Sequence, residues 1–391
     1  MKEFIKRHEF LPYSSPMLDS DEFDAVLDVL KSRWLAKGPR TVEFEQKFAE
    51  YIGAKHAVAV NSCTAALHLS LLAAAIKQGD EVITTTMTFA STVNTIVHVG
   101  AIPVLVDVDP ENFLIDPDRI EEKITDRTRA IVPVHYAGKA CNMDKIKELA
   151  EKYKLFISED AAHGLCTRYK GQLIGSESTA ASFSFYATKN ICTGEGGMLL
   201  TNREDIYQKA KLLSCHGMSS EAWKRYNRGG SWEYDIEEPG YKYNMFDIQA
   251  ALGIKQLEKL ESMQQRRRHI AQKYTEAFND EEAVEVPRVP VNTENSWHLY
   301  IVQINSSLLK IKRNEVIAEL NSLNIGTSVH FIPVHLMSYY RRTYGYGIGD
   351  FPVAEKYYNS IISLPLYPSM SDEDVDYVIS AVKYIIKKYR K

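Results

Sequence analysis

The chain has 391 residues, enough for a large core split between two units of unequal size. Its 47 Lys and Arg stand against 51 Asp and Glu, a net charge of −4 with no basic stripe, which argues against a nucleic-acid partner. Hydrophobic residues make up 45% and charged residues 25%, ordinary for a soluble globular protein, and no apolar run is long enough to cross a membrane.

The opening "MKEFIKRHEF" has no apolar h-region, so no secretory signal is expected. A helix is predicted over 20–32, and strand-like and helix-like segments then alternate. The run 56–62 precedes "TAALHLSLLAAA", and 81–88 precedes a helical run from Phe89. Apolar runs at 102–109 and 129–136 follow, and "KIKELAEKY" leads into a strand at 155–160. "AASFSF" and "GMLLTN" close the series. This alternation predicts an α/β fold: a large, mostly parallel sheet flanked by helices, with ligands bound beyond the carboxyl ends of the strands. Helices are predicted from 204 to about 280, interrupted by a polar loop at 219–240. A smaller α+β unit is expected from 286, dividing the chain into 1–285 and 286–391. It holds a strand at 298–304, the helix "KRNEVIAELNSL" and a last helix opened by Ser371 and Asp374 as a capping box, with Val375, Val378, Ile379 and Val382 on one face. Cys63, Cys141, Cys166, Cys192 and Cys215 are scattered, odd in number and without a CxxC pair, which fits reduced thiols in a cytoplasm. The adjacent Cys215 and His216 are too little for a metal site, and no metal is expected.

"FSFYATKNICTGEGG" (183–197) sets one lysine, Lys189, among aromatics, hydroxyl residues and glycines just past a strand end. Most lysines are solvated at the surface. One held against apolar walls loses its proton more easily and becomes a nucleophilic amine. Schiff-base chemistry with pyridoxal 5'-phosphate (PLP) needs such an amine, with a carboxylate for the pyridinium nitrogen, donors for a phosphate and a flat group against the ring. Asp160, ending the strand in "ISEDAAHG", is the candidate carboxylate; its other reading is a cap or turn aspartate. In "NSCTAALHL" the N–H groups of Thr64 and Ala65 can face an anion at a helix start, although such junctions are also ordinary caps. Phe89 is the candidate flat group, or simple core. Gly194, Gly196 and Gly197 are expected at unusual φ, where backbone passes close to a ligand. The stretch lacks the GK[ST] ending of a Walker loop.

Taken in order, Thr64, Phe89, Asp160, Ser184, Lys189 and Asn244 resemble the DegT/DnrJ/EryC1/StrS family of fold-type-I, PLP-dependent sugar aminotransferases. The resemblance covers nearly the whole chain. "RWLAKGPRTVEFE" (33–45) is similar to the family's tryptophan–glycine–proline motif, "NSCTAALHL" to its phosphate loop and "EDAAHG" to its aspartate motif. "FSFYATKNICTGEGG" is similar to its lysine motif and "YKYNMFDIQAALG" (241–253) to its intersubunit loop. The resemblance implies that Lys189 holds PLP and moves protons, Asp160 pairs with the ring nitrogen, Phe89 stacks on the ring, and Thr64, Ala65 and Ser184 hold the phosphate. His163 would contact the ring oxygen or ring face, and Asn244 would reach the phosphate of a neighbouring subunit in a homodimer with shared sites. The implied reaction moves an amino group from L-glutamate to a nucleotide-linked keto sugar. "KYNM" and "TGEGG" resemble the branch acting at C4 of a 4-keto-6-deoxy hexose more than the C3 branch. "SVHFIPVHLMSYY" (328–340) resembles the sugar-facing segment, with His330, His335 and Tyr340 as substrate candidates and packing as their other reading. Trp34 could cover the sugar or pack on the partner. No arginine for the donor's α-carboxylate can be placed; Arg341 and Arg342 sit near a helix end. Two alternatives stand: a PLP sugar dehydratase of the same family, in which histidine replaces the lysine, and a non-catalytic nucleotide-sugar-binding regulator, which has no need of an amine opposite a carboxylate.

Overall fold

The computed structural model describes residues 4–218 and 233–391, and most of the polar loop expected at 219–240 lies outside them. Helix α1 (Ser20–Ser32) opens on a capping box of Asp19 and Glu22. Helix α2 (Pro39–Ile52) starts at Gly38, which has no side chain to cap it. A distant carboxylate does that work. Asp247 accepts from the N–H groups of Gly38 (2.8 Å), Arg40 (3.1 Å) and Thr41 (3.0 Å) and from Thr41 Oγ1 (2.7 Å). These are the orphan donors and the positive pole of the helix, so a buried anion is favourable there.

The alternating segment folds as β1 (His56–Val60), α3 (Cys63–Ala73), β2 (Glu81–Thr85), α4 (Ala90–His98), β3 (Ile102–Val106), α5 (Pro117–Glu121), β4 (Thr128–Val132), α6 (Met143–Tyr153) and β5 (Phe156–Asp160). A small hairpin, β6 (Arg168–Tyr169) and β7 (Gln172–Leu173), leads to β8 (Ala180–Ser184), β9 (Gly197–Thr201) and α7 (Glu204–Leu213). Among the described residues these strands form a seven-stranded sheet in the order β1-β9-β8-β5-β4-β2-β3. The pairs from β8 to β3 are parallel, whereas β9 runs antiparallel to both β8 and β1. A parallel neighbour needs a long crossover, usually helical. Residues 185–196 carry no helix, so β9 returns beside β8 as the partner of a wide hairpin. The sheet is thus mostly parallel, as expected, with one reversed strand.

Parallel strands are covered on both faces and read as continuous apolar runs. All five residues of β2 are buried. Helix α3 is apolar on nearly every side because it is enclosed, with eight buried residues from Cys63 to Leu71. On the other face, Phe44 and Phe48 of α2 meet Phe183 and Phe185 with ring centroids 5.2–5.3 Å apart. Burying each such ring contributes about 1.5–3 kcal/mol.

The long helix α8 (Asp247–Phe278) links this layer to the rest. Beyond it lie β10 (Val284–Glu285), β11 (Thr293–Glu294), β12 (Tyr300–Ile304), α9 (Arg313–Ser322), α10 (Ser338–Tyr344), α11 (Pro352–Ser360), β13 (Ile361–Leu364) and α12 (Asp372–Tyr389). Strands β10, β12 and β13 form an antiparallel sheet, while β11 joins the β6–β7 hairpin. Tyr274 and Phe278 of α8, Val316 and Leu320 of α9 and Val378 and Ile385 of α12 pack with this smaller sheet in one core. The capping box of Ser371 and Asp374 is present, and Val375, Val378 and Val382 are buried as the periodicity requires.

Candidate active site

Strands β2, β4, β5 and β8 end along one edge of the sheet, and the segments that leave them enclose a cavity of about 580 Å³. Thr64, Phe89, Asp160, His163, Ser184, Lys189 and His330 are all on its wall. Lys189 lies in the turn after β8, where its N–H donates to Tyr186 O at 2.9 Å. No described residue hydrogen-bonds its amine. Burial pushes the ammonium down to about 8, against the opposing pull of Cys63 and Asp160. A neutral, nucleophilic fraction is therefore available near neutral pH.

Asp160 is the last residue of β5 and is buried. Burial raises its carboxyl above the usual range, while four interactions work the other way: Thr92 Oγ1 to Oδ2 (2.7 Å), Ala162 N to Oδ1 (3.1 Å) and the charges of Lys189 and His135. A carboxylate offers about four lone-pair directions. Two are taken here, which leaves room for one more donor from the cavity. Thr92 is in turn held by Thr88 Oγ1 at 2.7 Å.

The start of α3 forms the opposite wall. Ser62 caps the helix by accepting from Ala65 N at 3.1 Å, so that N–H, expected to face an anion, is turned back into its own helix. Ala65 is buried and off the cavity wall; Thr64 is on it. Gly197 pairs with Ser184 across β8 and β9. A Cβ on Gly197 would overlap Ser62 and the N–H of Cys63, so glycine is what lets β9 press against the helix start. Of the three glycines expected at unusual φ, only Gly194 has one (+79°); Gly196 and Gly197 are set by crowding instead.

His163 accepts from Ala137 N through Nδ1 at 3.3 Å, and its ring lies between Phe331 (5.8 Å) and His298 (4.3 Å). His330 contacts Ser363 Oγ through Nδ1 at 2.8 Å, and burial with the Lys189 charge pushes its imidazolium down to about 4. Phe89 caps α4 and is 61% exposed at the cavity mouth, so it is not core.

Four further candidates stand elsewhere. Both ring nitrogens of buried His335 are engaged, by Thr86 Oγ1 (2.6 Å) and Glu355 Oε1 (3.0 Å), so it packs beneath the end of β2. Tyr340 is buried against α4 with its hydroxyl on Asn94. Trp34 lines a separate cavity beside Gly38 and Tyr207, with its indole N–H on Lys37 O at 3.2 Å. Asn244 bridges to Val60 and donates to Met245 O at 3.1 Å; it is neither on the cavity wall nor the cap of α8, which is Phe246. Arg341 and Arg342 lie exposed on α10, and Lys189 is the one Lys or Arg among the described residues of the wall. The sequence reading did not single out Tyr13, Thr92, Tyr186, Thr188, His298 or Phe331. Thr92 stands one helical turn beyond Thr88, and Tyr186 and Thr188 lie inside the lysine stretch, which are local signals; Tyr13 and His298 have none.

An amine that no described residue hydrogen-bonds and a buried carboxylate share one cavity at the ends of a mostly parallel sheet, the arrangement that Schiff-base chemistry with PLP needs. The chain belongs to the DegT/DnrJ/EryC1/StrS aminotransferase family, whose model matches residues 16–383. It is 53% identical over 383 residues to the spore coat polysaccharide biosynthesis protein SpsC of Bacillus subtilis, covering 98% of each chain. Spr1654 from Streptococcus pneumoniae in its PLP-form superposes with a TM-score of 0.90 at 36% identity, over 97% of this chain and 99% of that one. PseC of Helicobacter pylori, an aminotransferase involved in the biosynthesis of pseudoaminic acid, gives 0.89 at 30% identity, over 97% and 100%. The chain is a PLP-dependent sugar aminotransferase.

Proposed function

We propose that the chain moves an amino group from L-glutamate to a nucleotide-linked keto sugar, at C4 of a 4-keto-6-deoxy hexose. The observation that carries the reading is the Lys189 amine, which no described residue hydrogen-bonds and which faces the same cavity as Asp160. When bound, PLP supplies an electron sink for the carbon that bears the amine. The protein's part is to bind, orient and move protons. Lys189 would hold the cofactor, and its amine would take a proton from, or return one to, the carbon that bears the transferred amine. Asp160 uses its remaining lone pairs to hold the ring nitrogen as a cation, which also answers its own burial. Thr64, at the start of α3, and Ser184 would receive the phosphate, Phe89 would cover the ring from the mouth, and His163 would contact the ring oxygen or the ring face.

The active unit in this proposal is a homodimer. Phe23, Leu27, Leu30 and Trp34 recur at helical spacing along α1 and just past its end, and all are exposed. A second copy covering this stripe would bring its own Asn244 loop to the neighbour's phosphate. A cytoplasmic location is also part of the proposal, supported by five buried, unpaired cysteines. No described helix is long and apolar enough to cross a membrane. The division into units 1–285 and 286–391 is supported by the small sheet, although β10 lies just ahead of that boundary.

The test is a panel of UDP- and dTDP-linked 4-keto-6-deoxy hexoses and 3-keto sugars with L-glutamate, with the aminated carbon located by NMR. Amination at C4 is expected. Amination only at C3, or no turnover with any nucleotide-linked sugar, would overturn the finer assignment.

A further inference from the structure

His298 lies on the cavity wall yet has no part in the scheme above. Its surroundings fix its tautomer. The carbonyl of Ser296 can only accept, and it lies 2.9 Å from Gln264 Nε2 and 3.2 Å from Asn190 Nδ2. Both amides therefore turn their nitrogens toward it. Gln264 Oε1 accepts from Asn190 Nδ2 at 3.2 Å, which leaves Asn190 Oδ1 as an acceptor. That oxygen is 3.1 Å from His298 Nδ1, so Nδ1 carries the proton. Burial, reinforced by His163 and Lys189, pushes the imidazolium well below its ordinary value, so the ring is neutral and Nε2 presents a lone pair.

This Nε2 bonds to no described residue, and it is not among the sealed, unpartnered buried atoms, which are His68 Nε2, Ser182 Oγ, Arg267 Nε and Thr293 Oγ1. It opens onto the cavity. His163, whose ring centroid is 4.3 Å away, has the complementary tautomer: Nδ1 accepts from Ala137 N, so Nε2 carries the proton. Burial and Lys189 keep that ring neutral as well. Two touching imidazoles thus offer the cavity one donor and one acceptor. A carboxylate or phosphate oxygen would satisfy His163 and meet a lone pair on His298, and an ammonium would do the reverse. A hydroxyl satisfies both, because it accepts and donates.

We propose that His163 and His298 form a donor–acceptor pair for a single hydroxyl group of a bound ligand, with the Gln264–Asn190 amides holding His298 in its acceptor tautomer. The inference rests on the aminotransferase reading. The hydroxyl comes either from the ring of the cofactor or from the sugar. His298→Asn and His298→Gln separate a ligand role from a structural one. Asn places its amide where Nδ1 was and keeps the Asn190 contact; Gln places an acceptor where Nε2 was. Affinity of the cofactor-free protein for PLP is measured by absorbance titration, and KM for the aminated keto sugar at saturating L-glutamate. His298→Asn is expected to weaken one of the two by about tenfold, the size of one neutral hydrogen bond, while His298→Gln stays within about twofold of the wild type. Loss confined to PLP affinity assigns the hydroxyl to the cofactor, and loss confined to KM assigns it to the sugar. Unchanged values in His298→Asn, or equal losses or failed folding in both variants, would make His298 a packing residue and overturn the proposal. A wild-type chain that binds no PLP would sink the aminotransferase reading itself.

Discussion

Thr92→Val isolates the environment of Asp160 from the carboxylate itself. Valine keeps the shape of threonine and removes only the hydroxyl, which is buried and 2.7 Å from Asp160 Oδ2. A hydrogen bond to a charged group contributes about 1.5–3 kcal/mol, and about 1.4 kcal/mol is tenfold in an equilibrium. Removing it shifts Asp160 toward its neutral form by roughly ten- to a hundredfold, in the direction burial already pushes it. Neutral Asp160 cannot hold a ring nitrogen as a cation. The glutamate half-reaction, followed by stopped-flow absorbance at neutral pH, should slow by the same order. Because a carboxylic acid ionises as pH rises, the lost rate should return at higher pH, so the acid limb of the profile moves upward. Thr88 Oγ1 also loses a partner, at a cost of about 1 kcal/mol in stability, which thermal unfolding reads separately. Thr92→Ser retains the hydroxyl and should restore both rate and profile. A natively folded Thr92→Val with unchanged rate and acid limb would refute the argument that this hydroxyl tunes Asp160.

Lys189→Ala should abolish turnover with the fold intact by circular dichroism, and Lys189→Arg should fail too, since a guanidinium does not give up its proton; amination by either removes Lys189 from the chemistry. The amine must be neutral to capture an aldehyde, so the rate at which the cofactor-free protein develops its visible band with PLP should rise with pH and level off above about 8; a rate independent of pH would place the amine's titration elsewhere. Asp247→Ala strips four donors of a buried partner and should lower unfolding stability by about 3 kcal/mol, read by denaturant melts, with a loss under 1 kcal/mol counting against its capping role. Mixing inactive Lys189→Ala chains with weakened Asn244→Ala chains should restore activity toward half, because a mixed dimer then holds one intact site; no recovery in verified mixed dimers would confine Asn244 to its own subunit.

The alternation of the fold was legible because strands covered on both faces leave largely apolar runs, as in "HAVAV" and "GMLLT". Caps were legible where they are local, as at Ser371 and Asp374. The reversed β9 was not, because an apolar strand carries no mark of its direction. Its signal was negative: 185–196 has no helix period, and a link without a helix cannot make the usual crossover. That link is also the lysine stretch. The chain forgoes a crossover helix there, and the turn thereby freed places Lys189 at the end of β8, opposite the end of β5. The cap on α2 was out of reach for a different reason. Gly38 offers no side chain, and its substitute, Asp247, is 209 positions away.

The same distinction separates the site residues that could be read from those that could not. A lysine at a strand end is an amine in any context, and Asp160 is a carboxylate in any context, so type and position sufficed to nominate them. A histidine is a donor, an acceptor or both, and only its partners decide. His330, His335 and His298 look equivalent in sequence. The structure makes His335 a doubly bonded packing residue and sets His330 and His298 on the cavity. The acceptor character of His298 comes from Asn190, 108 positions earlier, whose own orientation is fixed by Gln264 and Ser296. Asn190 follows Lys189 directly, and its amide points into the core while the lysine faces the cavity. One turn therefore delivers the reactive amine on one side and sets the tautomer of a wall histidine on the other, so a substitution at Asn190 should register first in what His298 binds and only then in the chemistry at Lys189.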